Sequence, residues 1–135
     1  IHVDVKPEGE GNDTTFQARM DVTPGWEDYY ERWTRSWDSP EPDRLIIRDE
    51  YALCQGDGVD FYWQTPLPCV INSRTITITG VRGTSVITAP ENTEIRLDTF
   101  PGAPGSPVHN RIAIHKKGRS GILEVTVQLI ARDEF

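Results

Sequence analysis

The sequence has no apolar run long enough to cross a bilayer, which argues against an integral membrane protein. A spanning helix needs roughly 20 consecutive apolar residues, and no such run occurs in these 135 residues. No N-terminal stretch has the charged, apolar and small-residue order of a signal peptide. With 36% hydrophobic and 26% charged residues, the chain has the composition of a folded domain and enough length for one core.

Positive charge is also scarce. Fourteen Lys and Arg residues stand against 21 Asp and Glu residues, which gives a formal net charge of −7 and a pI near 4.9. Binding to phosphate-rich partners requires a clustered positive surface. We therefore expect neither nucleic acid nor a membrane as a partner, and we interpret the basic run at 115–119 as a charged hairpin turn.

Cysteine and histidine are few. Cys54 and Cys69 lack the spacing of a zinc site, which leaves two alternatives: a disulfide across neighbouring strands, or two reduced and buried thiols. Of the three histidines, His2, His109 and His115, none has a serine or cysteine nearby in a pattern that indicates a nucleophile–base pair. The sequence therefore predicts no catalytic residue, no metal site and no cofactor.

Strand signals, by contrast, fill most of the chain. Apolar and polar residues alternate in short runs rich in β-branched residues, and the runs are separated by Gly, Pro and Asp-Gly turns about every ten residues. The Asp57-Gly58 turn predicts a hairpin that joins the runs at 45–53 and 59–63. The pattern predicts an all-β fold, an antiparallel β-sandwich of two stacked sheets that forms a single domain over residues 1–135.

The segment from Trp26 to Trp37 fits two periodicities. Its aromatic residues recur at helical spacing, and Thr23-Pro24 is typical of a helix start. Alternate residues of the same segment also place aromatic rings on one face of a strand. We predict a short helical turn near residues 24–29, followed by a strand that ends at Trp37.

Asp49 and Glu50 are the densest acidic pair inside a predicted strand. Adjacent residues of a strand point to opposite faces, so these two carboxyl groups cannot act together as a facing acid and base. We expect one of them to be buried and hydrogen-bonded and the other to be solvated.

Aromatic residues concentrate at 26–37 and 61–63, and two interpretations stay open. An exposed row of rings would stack on sugars, whereas buried tryptophans would form the core or a domain interface. Arginines near these rings, and a histidine that follows the Pro- and Gly-rich loop at 100–107, complete a candidate carbohydrate-binding set. That set is Trp33, Arg35, Tyr62, Trp63, His109 and Arg111.

The stretch from Arg19 to Thr65 carries a characteristic order of short motifs. An Asp-containing segment with aromatic residues precedes the strand Trp33-Thr34-Arg35-Ser36-Trp37, and a strand containing Asp49 leads on to Trp63-Gln64-Thr65. This order resembles the C-terminal β-sandwich region of the heparinase II/III-like polysaccharide lyases. Arg35, Asp49 and the Trp-Gln-Thr run stand at the places of that family's motif residues.

The resemblance implies a secreted or periplasmic parent enzyme that cleaves uronic-acid-containing polysaccharide by β-elimination. In that family the catalytic residues belong to a helical toroid and to a histidine-bearing upstream β region, and neither occurs in this chain. Gln64 stands where the family often has histidine. The implied role is a non-catalytic accessory domain whose partner is the remainder of the parent enzyme, with acidic polysaccharide as a further ligand.

The beginning of the sequence also favours a fragment of a larger protein. Ile1, Val3 and Val5 alternate with polar residues as in a strand already under way, and Met20 is the sole methionine. We therefore expect a C-terminal fragment of a larger enzyme. The alternative functions are a free-standing carbohydrate-binding β-sandwich and, with only the fold class behind it, a sandwich that binds another protein.

Overall fold

A computed structural model describes residues 7–101, 104–105 and 108–131. Within them the chain forms antiparallel strands in two sheets, so the predicted all-β sandwich is confirmed. The alternating pattern at Ile1 to Val5 lies outside the described residues. The elements are β1 (Pro7–Gly11), β2 (Phe16–Asp21), a 3₁₀ helix (Thr23–Gly25), β3 (Tyr30–Glu41), β4 (Arg44–Leu53), β5 (Gly58–Thr65), β6 (Cys69–Asn72), β7 (Thr75–Thr79), β8 (Gly83–Thr88), β9 (Glu94–Phe100), β10 (His109–Lys117) and β11 (Ser120–Ala131).

The two sheets differ in size. The large sheet has eight strands in the order β1-β2-β3-β4-β11-β8-β7-β6, and the small sheet has three in the order β5-β10-β9. Alternation directs one face of each strand into the space between the sheets. The side chains that fill this core from both sheets include Ile47, Ile76, Ile87, Leu123 and Val125 from the large one and Phe61, Ile112 and Ile114 from the small one.

The two predicted hairpins are wrong. β4 pairs with β3 and β11, whereas β5 pairs with β10, so the Asp57-Gly58 turn carries the chain from the large sheet to the small one. The basic run at 115–119 is likewise a crossing, because β10 belongs to the small sheet and β11 to the large sheet. Turn chemistry signals a reversal of direction. It does not decide whether the next strand pairs beside the last one or faces it across a core.

The segment around β3 also differs in extent from the prediction. The helical turn is a 3₁₀ helix of three residues, Thr23–Gly25, and the chain then turns until the strand begins at Tyr30. The strand runs past Trp37 to Glu41 and includes Pro40. A shift in register against β4 between Asp38 and Glu41 accommodates this proline, which cannot donate a ladder hydrogen bond.

Both cysteines are free thiols. Cys54 directly follows β4 and Cys69 begins β6, and β11, β8 and β7 lie between those strands in the large sheet. The alternative of a disulfide across neighbouring strands is therefore wrong, because the two strands are not neighbours. The thiols are reduced as in the other alternative, but neither is buried: Cys54 is exposed and Cys69 is half-buried.

Candidate functional site

A cleft of about 430 Å³ opens at one side of the sandwich, between the inner faces of β3 and β4 and the strand β5. We call it the β3–β5 cleft. Because β5 is an edge strand of the small sheet, no further strand of that sheet closes this side. The cleft is lined by Trp26, Tyr30, Trp33, Arg35, Asp49, Tyr51, Gly58, Val59, Asp60 and Tyr62.

Asp49 is the centre of the cleft's hydrogen bonding. The pairing of β3 with β4 sets Arg35 opposite Asp49 on the inner face. The guanidinium of Arg35 donates from Nε and Nη2 to the two carboxylate oxygens at 2.7 and 2.8 Å, and the indole Nε1 of Trp33 donates to Oδ1 at 3.0 Å. Asp49 is thus held by a bidentate ion pair and a third donor, the strongest arrangement available to a carboxylate on a strand.

The expectation for the two neighbouring acids is confirmed. Asp49 is buried at 6% exposure, whereas Glu50 points to the outer face. There the Glu50 carboxylate lies 3.6 Å from the Arg48 guanidinium, and both side chains are about half exposed.

Aromatic rings form one wall of the cleft. The Trp33 ring stacks on Tyr30 with centroids 4.8 Å apart, and Trp26 meets Trp33 edge-on at 5.9 Å. The Arg35 guanidinium lies 5.5 Å from the ring centres of both Trp33 and Phe61. This packing fixes the inner rings, while Trp26 at the rim remains 48% exposed.

Tyr51 presents a buried hydroxyl at the cleft. The residue is 1% exposed, and its hydroxyl has no hydrogen-bond partner among the described residues. Gly121 faces it on β11 with φ +155°, and a Cβ there would lie 3.4 Å from the hydroxyl oxygen and 3.1 Å from the Lys116 ammonium nitrogen. Glycine at this position leaves room for the Lys116 side chain, whose ammonium donates to the Ile122 carbonyl oxygen at 2.7 Å.

Burial raises the pKa of both cleft tyrosines. For Tyr30 the loss of hydration is the main cause, followed by the charge of Asp49; for Tyr51 the loss of hydration comes first, followed by Tyr30 and Asp49. A raised pKa keeps a phenol protonated. At neutral pH these two hydroxyls are therefore hydrogen-bonding groups and not bases.

The raised pKa values predict a loss of stability in alkali. Tyrosines of the unfolded chain ionise near pH 10.0, where folded Tyr30 and Tyr51 are still protonated. The unfolded state then binds fewer protons, so their contribution is complete below about pH 10 and is lost as the pH rises through the folded pKa. Urea unfolding from about pH 8 to about pH 11 should show this fall, and the double variant Tyr30→Phe/Tyr51→Phe should flatten it. An equal slope in the two proteins would contradict the prediction.

Comparison with solved structures identifies proteins of similar fold. No protein-family model matches the chain, and no curated protein matches its sequence. Heparan sulfate lyase HepC from Pedobacter heparinus matches with a TM-score of 0.76 and 9% identity, over 97% of this chain and 22% of that one. The BT4657 gene product, a heparinase III, matches with a TM-score of 0.73 and 9% identity over 98% and 22% of the two chains. Another heparinase III structure gives 0.68 and 10% over 97% and 22%.

The chain has the fold of one segment of heparinase III. The predicted resemblance to this class of lyase is thereby confirmed for the fold. Sequence identities of 9–10% are too low to transfer residue roles from those enzymes to this chain. The chain spans 22% of the length of these lyases, so it corresponds in fold to one segment of them.

Within this heparinase III fold, the candidate residues from the sequence fall into separate places. Trp33 and Arg35 lie inside the cleft, and Tyr62, which is 48% exposed on the outer face of β5, lies at its rim. Trp63 points into the sandwich, where it packs against the core beside Phe61.

The other two candidates, Arg111 and His109, lie on β10. The Arg111 guanidinium lies 4.7 Å from the Tyr62 ring centre and 4.2 Å from the Phe100 ring centre, and His109 pairs with Phe100 across the ladder. These residues face away from the cleft interior, so the six candidates do not form one site.

Sequence reasoning missed the polar half of the cleft, namely Asp49, Tyr51 and Asp60 as cleft residues. The signal that could have found Asp49 and Tyr51 is the β3–β4 register, which sets Trp33 opposite Tyr51 and Arg35 opposite Asp49. Among the described residues no group of three His, Cys, Asp or Glu side chains could hold a metal ion. No helix in the same part of the chain is long and apolar enough to span a membrane.

Proposed function

We propose that this chain is a non-catalytic, accessory C-terminal β-domain of a secreted or periplasmic polysaccharide lyase of the heparinase II/III type. The parent enzyme would cleave a uronic-acid-containing polysaccharide by β-elimination. The observation that carries the proposal is the match of nearly the whole chain, 97%, to only 22% of heparan sulfate lyase HepC. A domain present as one segment of such enzymes has the remainder of the enzyme as its natural partner.

The chemistry of the cleft supports a non-catalytic role. β-Elimination next to a carboxylate needs a base to remove a carbon-bound proton and a cation or donor to neutralise the carboxylate. The pKa values of Tyr30 and Tyr51 are raised by burial, which disfavours a phenolate base. The Arg35 guanidinium is already bound by Asp49.

The remaining described base near the cleft, His115, has acidic neighbours. Its Nδ1 lies 2.9 Å from the Asp60 carboxylate, and Glu94 is its partner in the β9 ladder. These carboxylates would repel a polyanionic substrate. His115 is therefore a poor candidate for the base of a uronate-cleaving reaction.

The large sheet offers a surface for the parent enzyme. β1 and β2 form one end of that sheet, beyond β3. Their inner face is small and apolar, and Phe16 there is 42% exposed. We call this face the apolar overhang; it consists of Gly9, Gly11, Phe16, Ala18 and Met20.

The apolar overhang favours the accessory role over a free-standing carbohydrate-binding module. Contiguous exposed apolar surface marks a face that another part of a protein covers. A net charge of −7 favours contact with protein over binding to a polyanion, which the negative charge would repel.

Activity assays test the proposal. We expect the 135-residue chain to release no unsaturated uronate from heparan sulfate or other uronic-acid polymers, as followed by ultraviolet absorbance. An active heparinase III assayed in parallel is the positive control. Turnover by this chain that is lost on His115→Ala or Tyr51→Phe would refute the non-catalytic assignment.

A further inference from the structure

We propose that the β3–β5 cleft binds one uncharged pyranose ring, with the ring stacked at the Trp26–Trp33 wall and a sugar hydroxyl bonded to the buried Tyr51 hydroxyl. This inference does not depend on the accessory role, because it concerns the cleft alone. It goes beyond the fold comparison, which assigns no ligand to this segment.

The dimensions of the cleft suit a small ligand. Its volume of about 430 Å³ lies within the roughly 300–1,000 Å³ of small-molecule sites. The position beside the edge strand β5 leaves one side open to solvent. A single ring, or the terminal ring of a longer glycan, can enter from that side.

The Tyr51 hydroxyl is the strongest indication of a ligand. It is buried and has no hydrogen-bond partner among the described residues. Buried polar groups nearly always have a partner, so a hydroxyl kept without one at the floor of an open cleft is suited to a group that arrives from outside. A sugar hydroxyl both donates and accepts hydrogen bonds, so it can either donate to the phenol oxygen or accept from the phenol O–H.

The opposite wall supplies the apolar contact that a pyranose requires. The carbon-bound hydrogens of one sugar face pack against an aromatic ring, and Trp26 presents a half-exposed indole at the rim. Trp26 is held edge-on against Trp33, which is itself fixed by its bond to Asp49. The wall is thus formed before the ligand arrives, which reduces the entropy lost on binding.

The charges of the cleft select against a carboxylated sugar. The lining cation is Arg35, and both carboxylate oxygens of Asp49 already bind it. The Asp60 carboxylate also lines the cleft, where it accepts from the Tyr62 hydroxyl at 3.3 Å. A uronate would bring a second negative charge to a site whose lining cation, Arg35, is already paired with Asp49, so the preferred ring is uncharged.

Titration with matched sugars tests this inference. The probes are methyl glycosides of glucose, galactose, mannose and N-acetylglucosamine, together with the methyl glycosides of glucuronate and galacturonate. Tryptophan fluorescence and two-dimensional NMR of the chain report binding and its position. We expect at least one neutral glycoside to bind, with shifts at the Trp26 and Trp33 indoles, and at least tenfold weaker binding of the uronate that corresponds to it.

Two variants and a control locate the ligand. Tyr51→Phe removes only the hydroxyl and should weaken binding roughly threefold to tenfold while the protein stays folded. Trp26→Ala should weaken it by roughly tenfold through the lost stacking. Tyr29→Ala, which removes an equally exposed ring outside the cleft lining, should leave the affinity unchanged.

Several outcomes would overturn the inference. These are no binding of any neutral glycoside, equal binding of neutral and carboxylated rings, or unchanged affinity in Tyr51→Phe. Unfolding of Tyr51→Phe would also count against it, because that result would show that the fold already uses the hydroxyl. None of these outcomes bears on the lyase assay, so the two proposals can fail separately.

Discussion

Replacing Phe61 with alanine is expected to lower the free energy of unfolding by about 3–5 kcal/mol, as for other large aromatic side chains removed from a core. Phe61 is 3% exposed and projects from the small sheet into the sandwich. Core side chains join the two sheets, since β5, β10 and β9 pair only with one another in the described residues. The loss of this ring therefore weakens the contact between the sheets as well as leaving a cavity.

The adjacent residue provides the control for Phe61. Tyr62→Ala removes a ring of similar size one position along the same strand, but that ring is 48% exposed on the other face. This variant should lower the free energy of unfolding by less than about 1 kcal/mol, mostly through the lost contact with Arg111. Urea unfolding of both variants measures the difference. Similar losses in the two variants would contradict the alternation of β5, in which Phe61 faces the core and Tyr62 faces solvent.

Alternation of residue types was sufficient to predict the sandwich and most of its strands, although not β1 or β6. The run Thr75-Ile76-Thr77-Ile78-Thr79, in which β-branched residues alternate, forms β7. The period of two also separated Asp49 from Glu50 correctly, because it depends only on local backbone geometry. These features depend on residues that are neighbours in the sequence, so they can be predicted from the sequence alone.

Strand pairing could not be predicted from the same local signals. β4 and β5 are adjacent in sequence with a turn between them, yet they lie in different sheets. The pairing of β4 with β11 joins Asp49 to Leu123 across a long stretch of chain. Such pairing depends on which apolar faces can share one core, a property of the whole chain that no local window contains.

The candidate site shows the same limit. Residue type alone identifies Trp33, Arg35 and Tyr62, and these three do line the cleft. Their partners Asp49 and Tyr51 belong to the site because of the β3–β4 register. Residue type also suggests Arg35 as a cation for an acidic sugar, but its bidentate bond to Asp49 leaves the described lining of the cleft without an unpaired cation.

Replacing Asp49 with alanine is expected to lower the free energy of unfolding by about 2–3 kcal/mol. The change leaves the Arg35 guanidinium and the Trp33 indole N–H without their acceptor. Breaking a fully buried pair costs roughly 3–5 kcal/mol. The smaller value applies because the Arg35 side chain keeps 27% of its surface exposed, against 8% for Asp49.

Two further variants separate the ion pair from ordinary loss of side-chain volume. Glu50→Ala removes the neighbouring acid, whose pairing with Arg48 is exposed, and should change stability by less than about 0.5 kcal/mol. The double variant Arg35→Met/Asp49→Leu should recover at least half of the loss, because an apolar pair no longer leaves a charge stranded between the sheets. Urea unfolding of the four proteins completes the comparison. If Asp49→Ala were no worse than Glu50→Ala, the ion pair would contribute nothing to the stability of the fold.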